Sequence, residues 1–140
     1  DIDHFKHFND KYGHPIGDGV LRQVSLMLKS VIRRVDQPAR YGGEEFVVLF
    51  PDTMLNNAFL IAEKVRRRIE SEKLKIVRTG QSLGRITVSI GVAEAHREDT
   101  LQTMVERADQ ALYLAKNSGR NNVKCENDLT RDNDRGEEKG

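Results

Sequence analysis

The chain has 140 residues, 37% hydrophobic and 32% charged, which is typical of one globular domain with a heavily charged surface. No apolar run approaches the ~20 residues of a membrane span, no signal peptide is recognisable, and Cys125 alone cannot form an internal disulfide. These features favour a cytoplasmic protein. Segment 126–140 has six acidic and three basic residues, which leaves about +4 on the rest of a chain of net charge +1. That charge suits anionic ligands but is too small to indicate nucleic-acid binding.

The first predicted elements are a helix and a hairpin. Apolar residues recur at helical spacing over residues 17–35. The pair Gly42-Gly43 precedes the apolar run Phe46–Phe50, which has the character of a short strand. Glycines at the apex predict a hairpin in which residues 38–42 pair roughly with residues 45–50.

The remaining elements alternate between helix and strand. Apolar residues on one face predict a helix over residues 58–69, and "GRITVSIGVA" (84–93) is rich in β-branched residues and indicates a strand. Thr100 is the predicted cap of a third helix that extends to Ala115, and "SGRNNVKC" predicts a turn and a last short strand. We expect residues 126–140 to form a disordered polar tail.

The order of these elements predicts an α+β fold. If "DID" ends a preceding strand, the core becomes a ferredoxin-like βαββαβ unit with helices packed on an antiparallel-rich sheet. This arrangement places the end of the first strand beside the hairpin. Asp1 and Asp3, which share a face of that strand, should then lie close to Glu44 and Glu45.

Several carboxylates at one sheet edge repel each other unless a cation lies between them. Hard oxygen ligands on short loops suit Mg²⁺, which keeps waters and is commonly shared with substrate phosphates. Two such ions can activate an attacking oxygen and stabilise a transferring phosphoryl group. The alternative is that "GGEE" (42–45) is only a turn with solvated acids.

Other polar residues fit a purine nucleotide. Lys6, Lys116 and Arg120 are candidate partners for phosphate charge, and the alternative is that they are solvated surface residues. The segment "FNDKYGHPIGDG" (8–19) supplies Asn9 and Asp18. A carboxylate can accept the N1 and N2 hydrogens of guanine, while an amide pairs with its other edge atoms. The alternative is ordinary loop and helix-start chemistry.

Four spaced motifs carry a family resemblance: "DIDHFKHFNDKYGHPIGDGVL", "RYGGEEF", "TVSIGVA" and "ADQALYLAKNSGRN". Together they resemble the GGDEF domain of diguanylate cyclases over residues 1–123. The resemblance implies a nucleotide-cyclase or polymerase-palm-like fold. It also implies condensation of two GTP molecules into cyclic di-GMP with release of pyrophosphate.

The resemblance also implies roles for individual residues. Asp1, the Ile2 carbonyl and Glu44 would bind two Mg²⁺ ions per active site, with Mn²⁺ as an alternative metal. Glu45 would be a further ligand or help to deprotonate the attacking 3′-hydroxyl, and Lys6 would assist catalysis. The implied substrate contacts are to guanine (Asn9, His14, Asp18), to the triphosphate (Lys6, Lys116, Arg120) and to the nucleotide as it passes the hairpin (Gly42, Gly43).

A second motif lies just before the hairpin. "RRVD" places Arg33 and Asp36 at the RxxD spacing that marks the product-inhibition site of this family, where cyclic di-GMP binds away from the catalytic face. Lys64 or the run Arg66–Arg68 would complete the site. The alternative is an exposed helix C-terminus, where basic residues are common.

The resemblance further implies catalysis by a homodimer in which two domains, each with one GTP, face each other. The family carries a helix and most of a first strand before "DID". We therefore expect residues 1–125 to be a catalytic domain that lacks these elements, that belongs to a longer protein with a sensory or receiver domain upstream, and that folds poorly alone.

Two other functions remain open. The chain could be a catalytically silent receptor that binds cyclic di-GMP through Arg33 and Asp36, or GTP through the former active site. It could also be another cyclase or a polymerase palm, because the fold and the two-metal logic are shared across chemistries. The presence of Asn9 and Asp18 favours a guanine-specific enzyme over both.

Overall fold

The structure, a computed structural model, describes residues 1–137. Its helices, in chain order, are α1 (Phe5–Tyr12), α2 (His14–Val31), α3 (Leu55–Ser71), α4 (Leu101–Asn117) and α5 (Glu126–Glu137). Its strands are β1 (Gln37–Arg40), β2 (Phe46–Leu49), β3 (Leu74–Lys75), β4 (Ser82–Gly84), β5 (Ile90–Val92) and β6 (Val123–Cys125). The predicted α+β class is confirmed.

The three predicted helices are present as α2, α3 and α4. Helix α2 begins earlier than predicted, because Pro15 in its first turn is pre-organised for a helix start, and it ends at Val31. Helix α4 begins after Thr100, whose side chain accepts a hydrogen bond from the Thr103 amide in a reciprocal capping box. The short helix α1 was not predicted.

The hairpin is confirmed, with β1 antiparallel to β2 and Arg40 opposite Phe46. The single predicted sheet is divided into two-stranded pairs, the others being antiparallel β3–β4 and parallel β5–β6. The predicted strand 84–93 is correspondingly interrupted. The "DID" segment contributes only an isolated bridge from Ile2 to Val88, so it does not join the hairpin to β5.

An apolar cavity of about 750 Å³ separates the hairpin from β5 and α4. Helices α2 and α3 pack against the strands in the larger core cluster, which includes Val20, Val24 and Ile69. Helix α4 lies against β5 at Gly91, where an added Cβ would be 2.1 Å from the Ala108 carbonyl oxygen. This close approach fixes the position of α4 and of the loop that follows it.

The prediction of a disordered tail is wrong for residues 126–137, because these residues form α5. Its first turn is anchored by Glu126, which accepts from the Glu94 amide at 2.7 Å, and by Asp128, which accepts from the Cys125 amide at 2.9 Å. Leu129 is half-buried. The last part of the predicted tail, residues 138–140, lies outside the described residues. Within the described part of the chain, no helix is long and apolar enough to cross a membrane.

Candidate active site

The Asp1 carboxylate lies at the end of the bridge to Val88, where it is almost covered, with 7% of its side chain exposed. Lys116, in the last turn of α4, donates a hydrogen bond to Asp1 Oδ2. Asp1 Oδ1 is buried and has no hydrogen-bond partner. A buried oxygen without a partner is costly, so this carboxylate is prepared to accept a further cation or donor.

Glu44 and Glu45 follow the glycines of the hairpin, and Glu44 is half-buried while Glu45 is exposed. Among the described residues, no three acidic or other metal-ligating side chains are gathered in one group, so the meeting of these acids at one sheet edge stays a prediction.

Arg40 holds the hairpin loop and was not among the predicted site residues. Its Nη2 donates to the Gly43 carbonyl at 2.7 Å, and its Nε lies 3.4 Å from the Gly42 carbonyl oxygen. The Tyr41 amide closes the turn by donating to the Glu45 carbonyl at 2.9 Å. An added Cβ at Gly43 would meet no atom within 4 Å, so the loop presents an open face.

Asp3 differs from Asp1 because its hydrogen-bonding capacity is used within the fold. Its carboxylate accepts from Ser89 Oγ at 2.6 Å, from Thr87 Oγ1 at 2.7 Å and from the Asn121 amide at 3.0 Å. It is 8% exposed. Asp3 therefore ties the first residues to the loop after α4, and protein donors already occupy its carboxylate.

The candidate guanine residues lie on α1 and α2. Asn9 sits over Gly17, where an added Cβ would be 1.8 Å from Asn9 Oδ1, and that oxygen is buried without a hydrogen-bond partner. His14 and Asp18 are exposed in the first turns of α2. Asp18 also lines a groove of about 490 Å³ between α2 and the hairpin, together with Arg22.

The candidate phosphate residues are dispersed. Lys6 is exposed on α1, and Arg120 is exposed on the loop that follows α4. Among the side chains that the structure describes, neither forms a salt bridge. Lys116 is the one of the three that the structure places in direct contact with a candidate metal ligand.

The two RxxD residues bind each other. Asp36 accepts from the Arg33 amide at 2.7 Å and from Arg33 Nη2 at 2.7 Å, and none of its side chain is exposed. The hydrogen bond from Arg33 lowers the pKa of Asp36. Arg33 Nη2 also donates to Thr53 Oγ1 at 2.7 Å, while 46% of the Arg33 side chain stays exposed. Lys64 is exposed on α3.

The residues present fit a divalent metal in their chemistry. Among the described residues, no group of three or more His, Cys, Asp or Glu side chains is gathered as a metal-binding cluster. However, Asp1 Oδ1 is buried without a partner, and a positively charged lysine covers the other oxygen. Carboxylate oxygens are the ligands that Mg²⁺ prefers.

Comparison with known proteins identifies the family of this chain. The family model described as "Diguanylate cyclase, GGDEF domain" matches residues 1–122, and the chain belongs to this family. The response regulator PleD of Caulobacter vibrioides is 48% identical over 124 residues, which are 88% of this chain and 27% of PleD. The diguanylate cyclase VdcA of Vibrio cholerae is 49% identical over 123 residues, which are 88% of this chain and 36% of VdcA.

A solved structure shows the same fold. The GGDEF domain of DgcB from Caulobacter crescentus, determined in complex with c-di-GMP, superposes with a TM-score of 0.85 at 42% identity. The match covers 91% of this chain and 74% of that one. The chain thus spans most of a GGDEF domain but only about a third or less of the full-length relatives described above.

Proposed function

We propose that the chain is the catalytic domain of a diguanylate cyclase. In each of two equivalent steps, the 3′-hydroxyl of one GTP attacks the α-phosphorus of another. The new P–O bond forms as the bond to pyrophosphate breaks, and the hydroxyl proton passes to a base. The observation that carries this proposal is the covered Asp1 carboxylate, which pairs with Lys116 through one oxygen and has the other oxygen free.

Asp1, Glu44 and the Ile2 carbonyl would hold the metal, with Glu45 as a further ligand or as the group that takes up the hydroxyl proton. Two Mg²⁺ ions, or Mn²⁺, would supply Lewis acidity toward the α-phosphate and the attacking oxygen when bound. Lys116 already neutralises Asp1 and is one-third exposed, so it can reach a phosphate oxygen from the same position.

Asn9, His14 and Asp18 would select guanine over adenine. The free Asn9 Oδ1 is a ready acceptor, and the exposed Asp18 carboxylate can accept the N1 and N2 hydrogens of guanine. Adenine has no N1 hydrogen to offer, so its binding leaves these acceptors without partners. Lys6 and Arg120 would bind the triphosphate. Gly43, with an open face, and Gly42, whose missing side chain leaves room beside Glu45, would admit it.

Each domain holds one GTP in this proposal, so catalysis needs a homodimer with two sites face to face. One relative is named a response regulator, and SiaD of Pseudomonas aeruginosa was solved in complex with its activator SiaC. These names support a sensory or receiver domain, or another regulatory partner, in the intact protein. Because GTP is the substrate, we place the reaction in the cytoplasm.

Arg33, Asp36 and Lys64 would form the product-inhibition site. Cyclic di-GMP would have to separate Asp36 from the Arg33 guanidinium in order to use the carboxylate, because that carboxylate is fully covered. The exposed part of Arg33 offers the first contact for a phosphate or a guanine edge. The second candidate function, a silent receptor, uses this same site, and the DgcB complex with c-di-GMP supports ligand binding by the fold.

The decisive experiment is turnover of GTP with Mg²⁺ by the intact protein, with cyclic di-GMP measured directly. We compare wild type with Glu44→Gln, and use Glu98→Gln, an exposed acid beyond β5, as the matched control. The cyclase proposal predicts product from wild type and from the control, and at least about a hundredfold less from Glu44→Gln. No product from wild type, with cyclic di-GMP still bound, would establish the receptor.

A further inference from the structure

The loop after α4 has a strained backbone. Arg120 has a φ of 60° and Asn121 a φ of 46°, and Gly119 before them has a φ of 98°. A left-handed conformation is unfavourable for a residue with a Cβ, and two such residues in succession persist only where surrounding contacts hold them. Arg120 therefore extends from a turn whose shape depends on its anchors.

Hydrogen bonds to Arg120 and Asn121 anchor this turn. The Arg120 amide donates to the Ala115 carbonyl at 3.1 Å, and the Asn121 amide donates to Asp3 Oδ2 at 3.0 Å. Arg66 Nη1, from α3, donates to Asn121 Oδ1 at 2.9 Å. The Asn121 backbone is thus held from the chain start, and its side chain is held from α3.

Arg66 is itself oriented by two acids of its own helix. Its Nη2 lies 2.5 Å from Glu63 Oε1, and its Nη1 lies 2.6 Å from Glu70 Oε2. Only 13% of its side chain is exposed. An arginine with only these two ion pairs would simply stabilise its own helix. Arg66 Nη1 also donates to Asn121, which lies 55 residues away in the chain.

We propose that Arg66, acting through Asn121, is a positioning residue that holds Arg120 in place for the triphosphate. The proposal rests on the function proposed above and extends it to a residue outside the site. By this reading, α3 sets the geometry of the phosphate contact through one hydrogen bond between side chains. Asp3 contributes the second anchor from the opposite side of Asn121.

The test uses the intact protein and two readouts. The first is the rate of tryptic cleavage of the Arg120–Asn121 bond, followed by mass spectrometry, which reports on the turn without any nucleotide. The second is the affinity for 3′-deoxy-GTP, measured with Mg²⁺ present. This nucleotide lacks the attacking hydroxyl and does not turn over. Arg66→Ala is compared with Arg67→Ala, since Arg67 pairs with the same Glu63 but is 73% exposed and donates to Glu63 rather than to Asn121.

We expect Arg66→Ala to speed cleavage at Arg120 about tenfold and to weaken 3′-deoxy-GTP binding by a similar factor, while Arg67→Ala changes neither. Asn121→Gly keeps the backbone anchor and tolerates the positive φ, so it should reproduce the effect of Arg66→Ala. In the Arg120→Ala background, Arg66→Ala should have no further effect on affinity.

Affinity losses that multiply in the double variant, or a cleavage rate unchanged by Arg66→Ala, would overturn the proposal. Equal effects of Arg66→Ala and Arg67→Ala would also overturn it, because they would reflect helix stability alone. If wild type bound no 3′-deoxy-GTP, the cyclase function would fail, and the cleavage rates would still decide whether Arg66 holds the turn.

Discussion

Helix α4 has an acid–base cluster at each end, and the two clusters differ in how completely they are paired. At its start, Asp99 accepts from Arg107 Nη2 at 2.6 Å, from the His96 amide at 2.6 Å and from Thr103 Oγ1 at 2.9 Å. Glu126 adds an ion pair from α5 to the same arginine at 3.2 Å. At its other end, Lys116 covers one oxygen of Asp1 and leaves the second without a partner.

The difference distinguishes a carboxylate that stabilises the fold from one that is available to a ligand. A carboxylate whose oxygens are all occupied by protein donors contributes to the fold and has no capacity for a ligand. A covered carboxylate with a free oxygen costs stability, so its retention points to a ligand that completes it. The same contrast separates Asp3, which is fully engaged, from Asp1 at the same chain start.

The largest expected effect comes from neutralising one acid at each end of α4, which tests this comparison directly. Asp1→Asn should reduce cyclic di-GMP synthesis at least about a hundredfold with little change in Tm, because an amide is a poor metal ligand but keeps the side chain's shape. Asp99→Asn should lower Tm and leave the rate at permissive temperature unchanged. Turnover and thermal melting of both variants check this, and the opposite pattern would contradict it.

A tenfold effect is expected at the closed RxxD pair, which resembles the Asp99 cluster in its pairing but is proposed to bind ligand. Arg33→Ala should raise the cyclic di-GMP concentration needed for half-inhibition at least about tenfold, because it removes a charged contact. It should also lower Tm, since Asp36 is left covered and unpaired. Lys64→Ala, at an exposed position, isolates the binding effect, because it should weaken inhibition without changing Tm.

The pH dependence of stability sharpens the contrast further. The Arg107 hydrogen bonds hold the pKa of Asp99 well below its usual range, with the His96 amide as the next cause. Stability from this group is therefore complete above the unfolded pKa of about 3.9 and is lost as the pH falls below it. The Tm difference between wild type and Asp99→Asn should shrink between pH 5 and pH 3 (about one unit on either side of that pKa). A difference that stays constant over this range would show that Asp99 does not contribute as a charge.

The smallest expected effect concerns the cap of α4. Thr100→Ala removes the acceptor of the Thr103 amide and should cost about 1 kcal/mol, a Tm decrease of a few degrees, with no change in turnover. Gln102→Ala, at an exposed position in the first turn of α4, is the matched control and should change Tm by less. A loss of turnover at permissive temperature would indicate that the start of α4 also serves the site.

Local signals in the sequence were sufficient for the hairpin and for α4. Gly42-Gly43 beside an apolar run predicted the β1–β2 pair, and Thr100 before a periodic segment predicted the helix start. Helix α1 was missed because Asn9, Asp10 and Gly13 are turn-forming residues. The apolar spacing of Phe5, Phe8 and Tyr12 is helical and could have indicated it.

Long-range contacts account for what the sequence did not predict. Asp3 is satisfied by Thr87, Ser89 and Asn121, which lie 84 or more residues away, so its pattern beside Asp1 could not reveal that it is occupied. Helix α5 lacks an apolar stripe and depends on the pairing of Glu126 with Arg107. The closed state of Asp36 likewise depends on side-chain geometry rather than on spacing.

The contact of Asn9 with Gly17 has a consequence for protein engineering. A methyl group at position 17 would lie 1.8 Å from Asn9 Oδ1, so no other residue at 17 is compatible with the present Asn9 rotamer. Substitutions at positions 9 and 17 are therefore coupled, because a smaller side chain at 9 makes room for a larger one at 17. A library designed to change the base preference of this domain should randomise the two positions together.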